Sequence, residues 1–98
     1  MPLVAQEKLA EAVLTLEAVG PQLGRPLVDT LKASRHARMK ELRFSAKGAW
    51  RVAFALDSER NAIILVGGDK AGRDQKKFYR DLIRTADDRF DDWLDAKG

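Results

Sequence analysis

With 98 residues, 45% of them hydrophobic and 34% charged, the chain has the length and composition of one globular domain, which excludes a two-domain enzyme. It has no cysteine and a single histidine, His36, so a disulfide scaffold, a thiol nucleophile and a multi-histidine metal site are excluded, and we expect no cofactor. The net charge of +3 is uneven: residues 25–80 hold 14 Lys and Arg against 6 Asp and Glu, whereas the flanks hold 4 against 9. A cationic middle attracts polyanions such as nucleic acid, although it is also typical of an ordinary solvated surface.

The first segment has the periodicity of an amphipathic helix of about four turns, which Gly20-Pro21 should end because proline cannot continue the helical ladder. Its apolar side chains are Ala5, Leu9, Ala12, Val13, Leu16 and Val19. Charges interrupt it too early for a signal peptide, and no stretch reaches the ~20 apolar residues of a membrane span. We therefore expect a cytoplasmic protein. Residues 22–38 are predicted to be an ordered connection that ends in a basic loop.

Three strands and a second helix follow. Apolar and polar residues alternate in Met39–Ser45 and Trp50–Asp57, which predicts strands with one core face each. Ala62–Gly68 is apolar at nearly every position, which favours a central strand covered on both faces. A helix is predicted from about Asp74 to Leu94. The expected fold class is therefore α+β, one domain over residues 1–98, with about three antiparallel strands between two helices.

The strand register can be predicted from the two hairpin loops. A three-residue loop, 46–48, with Gly48 in the left-handed conformation, would place Arg43 directly opposite Arg51. A four-residue loop, 58–61, would pair Leu56 with Ile63 and Phe54 with Leu65, and would bring Arg51 opposite Gly68. Facing like charges cost roughly 0.2–1 kcal/mol, so we expect an Arg51→Ala substitution to leave the fold intact.

The same register predicts a cationic site that could hold a phosphate. Arg43, Arg51 and Lys70 would share one sheet face above a floor of small residues, Ala53, Ala55 and Gly68. Glu41 lies on this face too, so the alternative is that Arg43 or Arg51 simply pairs with it.

The ends of the second helix carry opposite charges. Lys76 and Lys77 lie in its first turn, where free backbone N–H groups also favour an anion, although a solvated helix end explains them equally well. Asp87, Asp88, Asp91, Asp92 and Asp95 lie near the other end. They could improve solubility or contact a basic partner.

Taken in order, five segments resemble the phage Gp49-like branch of the RelE/HigB toxins of type II toxin-antitoxin systems. The segments are 23–32 (LGRPLVDTLK), 39–43 (MKELR), 50–57 (WRVAFALD), 64–70 (ILVGGDK) and 77–79 (KFY). The resemblance implies a small α+β fold similar to microbial ribonucleases, and a toxin that cleaves messenger RNA in the ribosomal A site. It also implies a cognate antitoxin with a helix-turn-helix domain.

Site residues follow from the resemblance position by position. Arg51 corresponds to an arginine near the scissile phosphate, Arg43 and Lys70 to neighbouring basic positions, and Tyr79 more weakly to an aromatic or histidine acid/base. Lys40, Arg73, Lys76 and Lys77 are candidates for RNA contacts. Proton transfer could involve Tyr79, Glu41, Lys70 or His36, although His36 is better explained as a surface residue of a mobile loop. With no acidic cluster facing the site, we expect a metal-independent endoribonuclease.

Two alternatives remain open. The chain could be a gyrase-inhibiting toxin similar to ParE, or a module that binds nucleic acid without cleaving it, although no aromatic platform for stacking bases is left after the core is assigned. Members of the branch usually begin with a strand and a helix, whereas this chain begins within what resembles their second helix. We therefore expect an unpaired sheet edge that could mediate self-association.

Overall fold

The computed structural model describes residues 1–19, 27–59 and 61–97. Helix α1 precedes four strands and helix α2, so the predicted α+β class and the order of its elements are confirmed. The elements are α1 Leu3–Val19, β1 Val28–Thr30, β2 Met39–Ser45, β3 Ala49–Leu56, β4 Ala62–Asp69 and α2 Gln75–Lys97. The predicted helix end at Gly20-Pro21 and residues 22–26 of the connection lie outside the described residues.

The sheet is antiparallel, in the order β1-β2-β3-β4, and so has four strands rather than about three. Strand β1 comes from the segment predicted as a connection; three residues are too few to show an alternating pattern. The predicted central position of β4 is wrong, because β4 is an edge strand and Ile64 is 42% exposed. Both helices contact β4. The apolar sequence of β4 therefore reflects burial on both of its faces and does not indicate a central position in the sheet.

Each face of the sheet is covered by one helix. Helix α1 packs Ala12 and Leu16 on one face, against Leu42, Val52 and Phe54. Helix α2 packs on the other face through Phe78, Leu82, Ala86 and Phe90, against Met39, Ala53, Ala55 and Leu65. Burial of these apolar side chains on both faces is the main force that holds the three layers together.

The first hairpin has the predicted register, with Arg43 opposite Arg51 and a loop at residues 46–48. Its left-handed residue, however, is Lys47 with φ 55°, and not Gly48. Gly48 is required for space, because a Cβ atom there would lie 2.5 Å from a carboxylate oxygen of Asp69. That carboxylate accepts hydrogen bonds from the backbone N–H of Ala71 and Ala49, which hold the pKa of Asp69 below its ordinary value.

The second hairpin contains a β-bulge. Phe54 pairs with Ile64 and Ala53 with Val66, so Leu65 is the inserted residue. The predicted pairs of Leu56 with Ile63 and of Phe54 with Leu65 are therefore wrong by one residue. Beyond the bulge the predicted register returns, and Arg51 lies opposite Gly68 as expected. Arg60, in the predicted loop, lies outside the described residues.

Two further features concern the surface. The Arg89 side chain donates a hydrogen bond from Nη1 to the backbone oxygen of Leu65 over 2.6 Å, so α2 binds the edge strand at its bulge. Neither helix, over the residues described, has the length and apolar character needed to cross a membrane.

Candidate functional site

Five charged or polar side chains meet where the β2–β3 hairpin passes under the first turns of α2. We call them the Arg51 cluster: Glu41, Arg43, Arg51, Lys70 and Tyr79. Their positions follow from the register, since Arg43 faces Arg51 and Arg51 faces Gly68. The Lys70 Nζ atom lies 5.6 Å from the centre of the Tyr79 ring, within the range of a cation–π contact. The structure therefore brings together all four residues predicted as catalytic.

Arg51 is the central member of the cluster and is only 9% exposed. Its Nε donates to the Tyr79 hydroxyl over 3.2 Å, and its Nη1 donates to the backbone oxygen of Trp50 over 2.8 Å. Its Nε also lies 3.7 Å from Glu41 Oε1, so the alternative in which Glu41 pairs with an arginine holds for Arg51. This carboxylate offsets the repulsion between the two facing arginines. Arg51 is thus part of the folded framework. Its loss would remove the partner of Glu41, contrary to the expectation that Arg51→Ala leaves the fold intact.

Tyr79 connects Arg51 to Glu41. Its hydroxyl donates to Glu41 Oε1 over 2.8 Å while accepting from Arg51. Partial burial raises the pKa of Tyr79 above its ordinary value, and the hydrogen bond to Glu41 raises it further. The phenol is therefore protonated at neutral pH.

The predicted open floor beside the arginines is wrong. Ala53 and Ala55 are fully buried beneath α2, and a Cβ atom on Gly68 would lie 3.0 Å from the Phe78 ring. Strand alternation shows which residues share a face but does not show which face a helix will cover. The Arg51 cluster consequently lies beside the start of α2 rather than on an open sheet.

The residues predicted to contact RNA fall into two groups. Lys40 lies on the opposite sheet face, because Leu42 and Phe54 there pack under α1, and its Nζ donates to Thr30 Oγ1. Arg73, Lys76 and Lys77 are exposed near the start of α2.

The start of α2 already has an internal anion. The Asp74 side chain accepts from the Lys77 N–H over 3.2 Å and so caps the helix. One of the backbone donors considered for a bound anion is therefore occupied by the chain's own carboxylate.

A cleft of about 430 Å³ adjoins the Arg51 cluster and shares Tyr79 with it. We call it the α2 cleft; its lining is Ala33, Arg35, Lys76, Tyr79, Arg80, Ile83, Arg84 and Asp87. Arg80 and Arg84 were not among the residues predicted to contact RNA. The signal was present, because Lys76, Arg80 and Arg84 recur every four residues and so lie along one stripe of a helix.

The acidic end of α2 binds the basic loop of the same chain. We call this contact the Asp87 clip, formed by Ser34, Arg35 and His36 with Asp87, Asp88 and Asp91. Asp87 accepts from the Ser34 hydroxyl and the Arg35 N–H. Hydrogen bonds from Arg35, and then from His36, lower the pKa of Asp91, and Asp91 raises the pKa of Arg35.

His36 belongs to the clip and is not a free surface residue. Its Nε2 lies 2.8 Å from Asp91 Oδ1, and its ring packs edge-on against Phe90 at 4.8 Å. The clip therefore holds His36 on α2 through the Asp91 carboxylate.

In residues 1–19, 27–59 and 61–97, no group of three or more His, Cys, Asp or Glu side chains is placed to hold a metal ion.

Comparison with known proteins identifies one family. The profile of the family described as "Phage derived protein Gp49-like (DUF891)" matches residues 1–91. Two proteins of Mycobacterium tuberculosis, named "Putative toxin HigB2" and "Putative toxin HigB3", are each 46% identical to this chain over 90 residues. The matches cover 90% and 92% of this chain, but 44% of HigB2 and 77% of HigB3. The chain thus spans less than half the length of the first relative. No solved structure matches it significantly.

Proposed function

The chain belongs to the phage-derived Gp49-like family, and from that premise we propose that it is the toxin of a type II toxin-antitoxin system that cleaves messenger RNA on the ribosome. The names of the two mycobacterial relatives support the toxin assignment. The observation that carries the cleavage proposal is the Arg51 cluster, in which a phenol and a carboxylate are hydrogen-bonded or ion-paired around one arginine.

The reaction we propose begins with the substrate's own ribose. The 2′-oxygen attacks the adjacent phosphorus, a P–O bond forms, and the bond to the 5′-oxygen of the next nucleotide breaks, leaving a 2′,3′-cyclic phosphate. The phosphorane on this path carries extra negative charge. The planar guanidinium of Arg51 can stabilise that charge, with Arg43 opposite as a second cation.

The two proton transfers of this reaction are assigned to Glu41 and Tyr79, which are joined by a hydrogen bond. Glu41 accepts the proton of the 2′-hydroxyl, and Tyr79 gives its proton to the departing 5′-oxygen. Arg51 then stabilises the transient phenolate through its Nε, and Glu41 returns a proton to Tyr79 across the 2.8 Å hydrogen bond. The net result is transfer of one proton from the 2′-oxygen to the 5′-oxygen, which restores both residues.

The gyrase-inhibiting alternative is favoured by one observation. Arg51 is buried and its hydrogen bonds are made to the chain's own groups, as expected for an arginine with a purely structural role. A toxin of that type would damage DNA metabolism and leave messenger RNA intact.

The proposed toxin activity also implies binding partners for the chain. We infer a cognate antitoxin with a helix-turn-helix domain, the ribosome with its messenger RNA, and action in the cytoplasm. An antitoxin on the Arg51 cluster would bind less tightly as salt increases. Self-association through an unpaired sheet edge remains a prediction, which light scattering on the isolated chain would test.

The deciding experiment is induced expression in bacteria with and without the neighbouring antitoxin gene, followed by mapping of messenger RNA ends. We expect codon-phased cuts from the wild-type chain, at least a hundredfold fewer from Arg51→Lys, and unchanged cutting from Arg38→Lys, an exposed arginine outside the cluster. Intact messages with DNA damage would support the gyrase alternative. Equal cutting by wild type and Arg51→Lys would refute the assigned role of Arg51.

A further inference from the structure

We propose that the α2 cleft binds the single-stranded RNA next to the cleavage point, with phosphates along Lys76, Arg80 and Arg84. This inference rests on the proposed RNA substrate but concerns different residues from those assigned to the chemistry. The first argument is that the cleft is continuous with the Arg51 cluster. Tyr79 lines the cleft, and its hydroxyl contacts Arg51, so a strand whose scissile phosphate lies at Arg51 passes directly into the cleft.

The charges of the cleft favour a polyanion. Lys76, Arg80 and Arg84 are exposed and recur at four-residue intervals, so their Cα atoms are separated by about 6 Å per step along the helix axis. Asp87, the acidic residue that lines the cleft, is already bound by Ser34 and Arg35. Nearby Asp81 contacts Arg80 and Arg84 only in solvent-exposed pairs, which a phosphate can displace at little cost.

The shape of the cleft suits a nucleotide. Its volume of about 430 Å³ is within the usual range for small-ligand sites, and Ile83 and Ala33 provide an apolar wall beside the cations. A base could lie against this wall while its phosphates remain at the cationic stripe. Arg35, held by the Asp87 clip, would form the far end of the cleft.

Lys76 and Lys8 provide a matched pair for a test. Both are exposed helical lysines, but Lys76 lines the cleft whereas Lys8 lies on α1, which packs on the other face of the sheet. General attraction between a basic protein and RNA predicts the same loss from either alanine substitution. A defined RNA path predicts a loss from Lys76→Ala, Arg80→Ala and Arg84→Ala, and none from Lys8→Ala.

The experiment measures binding of a fluorescent 2′-O-methyl RNA dodecamer, which lacks the attacking hydroxyl, to the full chain at several salt concentrations. Each cleft substitution should weaken binding about eightfold at 50 mM salt and lower the salt slope by ~0.7, the contribution of one phosphate contact to a single strand. Lys8→Ala should match wild type. Circular dichroism of each variant confirms that it is folded.

Other outcomes would overturn the proposal. Equal losses from Lys76→Ala and Lys8→Ala would show unspecific attraction, and failure of the wild-type chain to bind the dodecamer at low salt would show that the cleft does not hold RNA. Weakened antitoxin binding with unchanged RNA binding would assign the cleft to the antitoxin. These results are independent of messenger RNA cutting by Arg51→Lys, so the cleft can fail while the proposed function stands, and the reverse.

Discussion

The first half of α2 faces the Arg51 cluster and presents the cations of the α2 cleft, whereas its second half carries the carboxylates of the Asp87 clip. In the second half, Arg35 and His36 are bound by Asp88 and Asp91. Beside the first half, Arg43 of β2 has no side-chain hydrogen bond or ion pair with any residue in the described ranges. The loop and the helix end therefore largely neutralise each other, and the cationic surface is shifted to the start of α2.

Of the changes at the side chains that the two halves of α2 face, removal of Arg51 should have the largest effect. Because Glu41 is 6% exposed and Arg51 is its cationic partner, Arg51→Ala should lower the free energy of unfolding by about 3 kcal/mol. Arg51→Lys keeps the charge and should cost less. Urea denaturation measures both, with Arg43→Ala as the control that relieves the facing charges. An Arg51→Ala chain as stable as wild type would show that the facing arginines, and not the pair with Glu41, dominate the energetics.

Removing Asp87 tests the other half of α2. Asp87 is 3% exposed, and Asp87→Ala would leave the Ser34 hydroxyl and the Arg35 N–H without their acceptor, at a cost of about 2 kcal/mol. The adjacent Asp88, whose side chain is 66% exposed, provides the control, and Asp88→Ala should change stability by no more than ~0.5 kcal/mol. Equal effects in urea denaturation would mean that the clip acts through general charge and not through buried hydrogen bonds.

Much of the Arg51 cluster could be predicted from the sequence. The facing positions of Arg43 and Arg51 follow from one alternating pattern and a short loop, and a one-residue slip would expose the apolar face. The pair of Arg51 with Glu41 could be proposed as an alternative because Glu41, Arg43 and Arg51 share one face of the sheet. The covering of Ala53 by α2 could not be predicted, since it depends on long-range packing.

Other features depend on details that local sequence does not carry. The bulge at Leu65 leaves the apolar pattern of β4 unchanged, and β1 is too short to show a period. The clip joins residues more than fifty positions apart, such as Ser34 and Asp87. The sequence showed an acidic helix end and a basic loop, but it did not show that each was the partner of the other.

Glu41→Gln should change the titration of Tyr79. Because Glu41 adds to the increase that burial causes, the pKa of Tyr79 should fall in the variant. Tyr79 is the only tyrosine, so ultraviolet absorption of the phenolate reports it alone. Glu59→Gln, at an exposed position, is the control. An unchanged pKa would contradict the Glu41–Tyr79 hydrogen bond.

The same shift affects stability at high pH. A raised pKa in the folded state means that the folded chain binds the Tyr79 proton more tightly than the unfolded chain. Its stabilising contribution is thus complete below the unfolded pKa of about 10 and is lost as pH rises through the folded value. Glu41→Gln should lose less stability over this interval than wild type does.

The smallest expected effect comes from Arg35 and concerns acid stability. Arg35 is the main cause of the lowered pKa of Asp91, so Arg35→Ala should raise that pKa towards its ordinary value of 3.8, with His36 keeping part of the shift. A carboxyl group whose pKa is lowered in the folded state stabilises the fold at pH values above its ordinary pKa. This contribution is lost as pH falls through the folded pKa. The stability difference between wild type and Arg35→Ala should therefore be constant near neutral pH and shrink below about pH 4, as measured by urea unfolding at a series of pH values. Arg38→Ala, in the same loop but outside the clip, should show no such change. A difference that persisted to about pH 2 would mean that Arg35 stabilises the loop by packing its side chain on α2 rather than by binding the Asp91 carboxylate.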